Sequence, residues 1–486
     1  MNKTESSPRQ LLILASSIAV VTGYDMSSII ISAVSIRGNL GFSAQTSPWI
    51  MSGFTLTFGG FLLLGGRLGD IYGRRRIILS GTSLFVFASL LGACAPNSGC
   101  FLLSRAFKGI GAALMMPNAL ALINTSFAEG KERHKAFGIF GFFAEIGYAG
   151  GNFLGGILTS YSWRAALALS AAIGLVILIE AAQVRPPRDK DANGKHRFDL
   201  LGAVLSVAAF GALLLAITDA VERGIASSQT IVEGGVSVGC FAVFFWRISH
   251  FHSPLLPPVL LRNRNVIGAS VLMFLFMACD QGTVFQVVSF LQEVLKYSPG
   301  RTGVAFAPLI LITLTSAFCT NRLLDSLGFK RTIALGLIVR SLALLALITF
   351  GADTTYVRGF LPIMIFISLS FPMTLISLHI PAGLGVAKEM QGIAYGTSYA
   401  LEQIGMSFGL NILSAIALTA THAHGGSNAD SLVYGFRMST IVSTCISVVT
   451  LVIGLVVLKV PMRTGQPEVS TSGPIPAVGL SARVDS

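Results

Sequence analysis

GRLGDIYGRRR, from Gly66 to Arg76, stands between two long apolar runs, and NRLLDSLGFKR, from Asn321 to Arg331, repeats its frame. Asp325 follows Asp70 by 255 positions (325 − 70), about half of the 486 residues. A short Gly/Asp/Arg hinge used twice between apolar runs marks an internally repeated membrane carrier rather than a receptor or an enzyme. Within the hinge, Gly66 suits close helix approach and Gly73 a sharp turn. Asp70 suits a helix cap or an ion pair, and Arg74 opens a basic anchor at the membrane surface.

Composition leads the same way. The chain is 53% hydrophobic and only 12% charged, against roughly 25% charged residues in soluble domains. So much apolar surface needs lipid to cover it. The net charge of +12 is scattered between apolar runs and forms no basic stripe, which excludes nucleic acid as a partner. Six cysteines show no CxxC pair and no His/Cys ligand spacing, so neither a metal nor a cofactor is expected. No GxxxxGK[ST] loop is present for ATP coupling. The first apolar run lacks a small-residue cleavage site and reads as a spanning helix.

Windows of roughly 20 residues, enough to cross the hydrocarbon, predict fourteen spans. Six lie between residues 11 and 184, two near 199–218 and 231–249, and six between 266 and 458. The expected fold is an all-α polytopic membrane protein: a six-helix bundle over 1–190, two inserted helices over 191–262 and a second six-helix bundle over 263–460. A disordered cytoplasmic tail is expected over 461–486. Most Lys and Arg residues fall on one side if both termini are cytoplasmic, as the cytoplasmic excess of basic residues in membrane proteins requires. Two further registers support the repeat. Asp25 precedes Asp70 by 45 positions (70 − 25), and Asp280 precedes Asp325 by the same 45 (325 − 280). Gly147 with Gly151 in the fifth span answers Gly405 with Gly409 in the thirteenth, both small-xxx-small pairs suited to close packing.

These stretches resemble the major facilitator superfamily and, within it, the fourteen-helix drug:proton antiporter branch. Gly66, Asp70, Gly73 and Arg74 resemble that superfamily's loop between helices two and three, which the resemblance implies is a gate latch that does not touch substrate. Trp49–Leu56 resembles the branch's second helix, Phe290–Pro308 its first outer loop of the second half, and Arg197–Asp199 the start of its first inserted helix. Arg105 with Gly109 and Gly111 resembles the fourth-helix motif, and Gly147, Gly151, Gly155 and Gly156 match the antiporter motif of helix five. Asn152 stands where that motif carries Pro, Lys108 where the fourth-helix motif has Gln, and Ile30 and Val34 where the first helix has Asn and Pro. An atypical pocket follows from these departures.

An ionisable group at the centre of a spanning helix costs roughly 2.5–3.5 kcal/mol, so each should face protein or water and have a partner. Asp25, Arg105, Lys108, Glu145, Asp280 and Glu402 are the candidates for proton coupling and the substrate cavity, with Arg340 read as structural and near a helix end. His379, Glu180 and Asp219 are read as snorkelling groups. Lys108 and Glu145, both unusual for the branch and on neighbouring helices, are expected to pair.

The expected function is proton-coupled export of small amphipathic or cationic organic compounds by alternating access. The proton gradient would be the energy source, and a monomer in the plasma membrane the working form. A dedicated carrier of one metabolite, siderophore or toxin is the alternative, favoured by Asn152 and by Lys108 as an added cation. A non-transporting sensor would need an output domain, and no enzymatic motif is present.

Overall fold

The computed structural model describes residues 6–43, 46–128, 131–185, 199–251, 255–386, 388–426 and 428–458. Arg197, Phe198 and the tail over 461–486 lie outside the described residues. The first six helices are α1 (Pro8–Leu40), α2 (Trp49–Tyr72), α3 (Arg74–Ala93), α4 (Ser98–Ser126), α5 (Lys131–Tyr161) and α6 (Trp163–Gln183). Then come α7 (Leu200–Arg223), α8 (Ser228–His250) and the short α9 (Pro258–Arg262). The last six are α10 (Arg264–Ser289), α11 (Pro299–Leu327), α12 (Phe329–Leu347), α13 (Leu361–Ala382), α14 (Lys388–Ala423) and α15 (Ala429–Val457). Single π-helical turns, Phe290–Val294 and Tyr356–Phe360, extend α10 and precede α13.

Polar residues at the span edges start these helices by satisfying their free N–H groups. Ser7 and Gln10 form a capping box on α1, Asn97 accepts from Cys100 N on α4, and Ser298 from Arg301 N on α11. Among the described residues, twelve helices are long and apolar enough to cross a membrane. The other two long helices are α5 and α12. The glycines of α5, with Glu145 and Asn152, dilute its hydropathy, and α12 carries Lys330, Arg331 and Arg340 within 19 residues. Side chains such as Phe87, Leu175, Val238, Phe245 and Leu342 are exposed along the helices. So extensive an apolar exterior has only lipid to face. The chain is a multi-pass membrane protein.

Packing follows the repeat. α1 packs on α5, α2 on α4 and α3 on α6; after α7, α8 and α9, α10 packs on α14, α11 on α13 and α12 on α15. The two sets meet along α2–α14 and α5–α11. α7 and α8 pack on each other, with α7 also against α2 and α14. Asp199 ties that pair together, accepting from Gly202 N at 2.8 Å as the N-cap of α7 and from Arg247 Nε of α8 at 2.5 Å.

Both hinges turn on a glycine with positive φ: Gly73 at +90° and Gly328 at +74°, again 255 positions apart (328 − 73). A residue with a Cβ would be strained in this region. Two expectations for the first hinge need correction. A Cβ at Gly66 would meet only Pro117 Cβ, at 3.5 Å, whereas one at Gly65 would lie 2.0 Å from Ala113 O and one at Gly69 1.6 Å from Asn118 Oδ1. Close approach of α2 to α4 therefore falls to Gly65 and Gly69. Asp70 sits inside the last turn of α2 and is not the N-cap of α3, a position that Gly73 takes. The face carrying the hinge is bound by its arginines. Arg74 donates to Ala121 O and Thr125 Oγ1 of α4, and Arg75 to Ala181 O and Ala182 O of α6. Arg74 Nη2 is 3.8 Å from Asp70 Oδ1. Asp325 occupies an exposed position in the last turn of α11.

Candidate functional site

The acids and cations of the spanning region gather into two buried clusters and two looser positions. In the first cluster, Asp25 on α1 takes three donors. Arg105 Nη1 of α4 donates to its Oδ2 at 2.7 Å, while Lys108 Nζ of α4 and Ser170 Oγ of α6, the latter at 3.2 Å, donate to Oδ1. Lys108 also donates to Ser170 Oγ at 3.0 Å, and Arg105 Nε to Ile50 O of α2 at 2.9 Å. Arg105 and Lys108 lie three residues apart, on one face of α4, which is why a single acid serves both. Each cation also sits over a ring, Arg105 at 4.8 Å from Phe54 and Lys108 at 4.7 Å from Phe85. The expected Lys108–Glu145 pair is not formed. Lys108 turns to Asp25 instead.

In the second cluster Arg340 Nη2 of α12 donates to Asp280 Oδ1 of α10 at 2.7 Å, and Gln281 Nε2 to Oδ2 at 3.3 Å. Arg340 is fully buried at mid-helix, not near a helix end as expected. Asp280 therefore draws its cation from α12, whereas Asp25 draws its two from α4. Arg340 falls 255 positions after Phe85 (340 − 85), the ring beneath Lys108. The repeated acid is thus served from non-equivalent helices in the two halves.

Glu145 on α5 is half-buried and within electrostatic range of Asp280 across the two halves. No hydrogen bond or ion pair of its side chain is seen among the described residues. Glu402 on α14 is buried, with its Oε2 3.7 Å from His379 Nε2 of α13. His379, expected to snorkel, has 39% of its side chain exposed in the last turn of α13 and also faces this acid. Ser170 was missed by sequence reasoning, and His379 was named only as a snorkelling group. A serine in an apolar helix carries no signal, and a histidine near a helix end reads as a flank.

The glycines of α5 divide between two neighbours. Cβ atoms at Gly147, Gly151 and Gly155 would strike Val20, Tyr24 with Ser27, and Ser28 of α1. Gly156 instead faces α11, where its Cβ would lie 2.8 Å from Pro299 O and 3.1 Å from Gly303 Cα. Asn152 is buried, and its carbonyl would be 2.4 Å from a Cβ at Gly303. Gly405 and Gly409 press in the same way on Phe274 and Ala278 of α10. Along α2–α14 the contact is polar and small. Ser407 and Thr55 share a 2.6 Å hydrogen bond, Asn411 donates to Ser52, and Gly59 abuts Ala400 O and Gln403 Cβ. Such interfaces let backbones approach with little interlocking bulk.

Residues 13–410 match the sequence profile of the Major Facilitator Superfamily. The chain is 35% identical to the puromycin resistance protein of Streptomyces alboniger, covering 92% of this chain and 90% of that one. It is 32% identical to the cephamycin export protein of Amycolatopsis lactamdurans, with 86% of each covered. Among solved structures it superposes on the nucleoside transporter NupG with a TM-score of 0.64 at 12% identity, covering 93% of this chain and 100% of that one. It superposes on a D-xylose-proton symporter with a TM-score of 0.63 at 15% identity, covering 93% and 98%. At those identities the likeness concerns the fold alone. The match over residues 13–410, the relatives above 30% identity and the repeated helical packing agree, and the chain belongs to the major facilitator superfamily, as a membrane transporter rather than an enzyme.

Proposed function

We propose that this chain is a proton-driven exporter of small amphipathic or cationic organic compounds, working by alternating access as a monomer in the plasma membrane. One observation carries the reading: four carboxylates, Asp25, Glu145, Asp280 and Glu402, are held inside the spanning region on helices of both halves. Each costs free energy there, and intramembrane acids of this kind mark proton and ion pathways. Relatives named for puromycin resistance and cephamycin export support the direction and the chemistry of the cargo.

In this reading α5 and α12 also cross the bilayer, giving fourteen spans of the drug:proton antiporter branch. Support comes from α5 running along α1, from α12 packing on α15, and from a 19-residue length that reaches roughly 28 Å at 1.5 Å per residue. The domains are then two six-helix bundles, over 1–190 and 263–460, with α7 and α8 inserted between them. Both termini lie in the cytosol, the side of the basic hinge face. The halves rock along α2–α14 and α5–α11, where small residues meet. No cofactor takes part, and protons moving inward supply the energy. The case for a dedicated carrier of an anionic compound weakens, because the added cation Lys108 is spent on Asp25.

The test is uptake of an amphipathic cation into everted vesicles from an efflux-deficient host. Uptake should collapse when an ionophore removes the pH gradient at constant ATP. Undiminished uptake defeats the reading.

A further inference from the structure

We propose that the cavity beneath the Arg37–Glu293 ion pair is a ligand site, which takes an organic monocation with an apolar body and seats its charge on Glu293 in place of Arg37. The ligand class rests on the transport reading above. The site, and what its occupation does to the ion pair, go beyond that reading. The cavity holds about 100 Å3 and lies between the halves, on the face opposite the hinge. Val34, Arg37 and Ser47 come from the first half; the other lining residues belong to α10, its π-helical turn, α14 and α15.

Independent features build the site. Much of its lining is aromatic or aliphatic, including Phe285, Phe290, Leu418 and Phe436, with the rings of Phe290 and Phe436 at 4.6 Å. The π-helical turn Phe290–Val294 brings Phe290 and Glu293 to the same cavity. It is held by Leu295 N on Phe290 O at 3.1 Å and by Tyr297 N on Leu291 O at 2.9 Å. Such turns are rare and recur at functional sites. Just beyond it Lys296 stands at φ +56°, a region strained for a residue with a Cβ. Arg37 and Glu293 are the only charged groups among the described lining residues.

The rings decide the sign of the ligand. An aromatic face attracts a cation and not an anion, and Glu293 provides the counter-charge. Arg37 already holds that carboxylate, at 2.5 Å, but both side chains are partly solvated. A pair of this kind shifts an equilibrium only a few-fold. A cation whose apolar body also fills the cavity therefore displaces it, because that body leaves water on binding. The displaced guanidinium stays hydrated. Since Arg37 ends α1 and Glu293 follows α10, the same exchange unties the halves. Occupation thus loosens the outer face of the exporter. No bond is made or broken, and no proton moves.

The test uses the full chain, purified, with benzyltrimethylammonium and the neutral N-benzylacetamide as probes in equilibrium binding. Glu293→Gln should weaken the cation about fivefold, and Arg37→Gln should tighten it about two- to fivefold by removing its competitor. The neutral probe should bind the two variants alike. Opposite shifts are the signature, since a pair that only ties the halves is broken equally by either substitution. Shifts of the same sign for the cation, no shift, or a neutral probe that follows the cation overturn the proposal. Both positions are at a solvated rim, so neither variant should fail to fold. Ala417→Leu, which fills the cavity, should weaken both probes about tenfold; undiminished affinity for the cation overturns the proposal. Flux in proteoliposomes with and without a pH gradient tests the transport reading separately. Failure of wild-type flux with the opposite shifts intact defeats that reading alone, and loss of the opposite shifts with flux intact defeats this one alone.

Discussion

Arg37, near the end of α1, lies 2.5 Å from Glu293 in the π-helical turn after α10, and so ties one half of the transporter to the other on the face opposite the hinge. Gln292 Nε2 donates to Ile31 O at 3.0 Å and Gly300 N to Ser160 Oγ at 2.9 Å, on the same face. Ser47 lines the small cavity beneath the ion pair. The pair is partly solvated, with side chains 33% and 22% exposed, so it contributes about 0.5–1 kcal/mol to holding this face closed.

Arg37→Gln should therefore open this face about two- to fivefold more often. A cysteine placed at Ser47 would report it, reacting faster with an impermeant maleimide by that factor. The double reversal Arg37→Glu with Glu293→Arg should bring the rate back. If the single substitution leaves labelling unchanged, the pair latches nothing.

The Asp25 cluster makes a sharper prediction. Asp25→Asn leaves Arg105 and Lys108 buried beside one another without a counter-charge, and losing one partner of a buried pair costs about 3–5 kcal/mol. Lys108→Gln keeps the Asp25–Arg105 bond and should cost far less. Adding Lys108→Gln to Asp25→Asn should recover part of the loss, because one uncompensated cation is gone. Thermal unfolding of the four proteins in detergent closes the cycle. Strict additivity would show that Lys108 and Asp25 do not interact.

Most of the architecture was legible because it is written in one dimension. Apolar runs, a doubled hinge and a constant 255-residue offset need no knowledge of which way a side chain points. Pairing inside the bundle depends on azimuth, and there the reading failed at Lys108. Adjacency of the fourth and fifth spans suggested Glu145, yet the three-residue spacing of Arg105 and Lys108 turns both to α1. Arg340 shows the same limit. The cost of a buried charge called for some partner at Asp280 without naming it, and the second half supplies one from α12. The glycine motif, expected to serve packing, faces α1 through Gly147, Gly151 and Gly155, while its last member, Gly156, faces α11 across the halves.

That last contact can be tested by a pair of neutral-looking substitutions. A Cβ at Gly150 would meet nothing within 4 Å, whereas one at Gly156 would press on Pro299 O and Gly303 Cα. Gly150→Ala should leave transport intact. Gly156→Ala should reduce it about tenfold by keeping α5 from seating on α11, with folding of each half unaffected because Gly156 does not touch α1. Initial export rates at matched expression provide the measurement, and equal rates for the two variants would contradict the assignment.

The hinge offers the last contrast, and it runs against what the motif alone suggests. Gly66 heads the GRLGD stretch, but its Cβ position is roomy, with Pro117 Cβ at an ordinary 3.5 Å. Gly65 has no such room, since a Cβ there would sit 2.0 Å from Ala113 O, a backbone atom that cannot rotate away. Gly69 is intermediate. Its obstacle is the Asn118 side chain, but Nδ2 of that residue is bound to Gly65 O at 2.9 Å and Leu114 O at 2.8 Å, so moving it breaks two hydrogen bonds, the first of them buried. Each such bond contributes about 0.5–1.5 kcal/mol. The order of damage on substitution to Ala should therefore be Gly65 worst, Gly69 next and Gly66 least, with Gly66→Ala gaining slightly in stability from reduced freedom of the unfolded chain. Thermal midpoints in detergent rank the three. A Gly66→Ala midpoint below that of Gly65→Ala would mean that α2 and α4 do not meet along the face described.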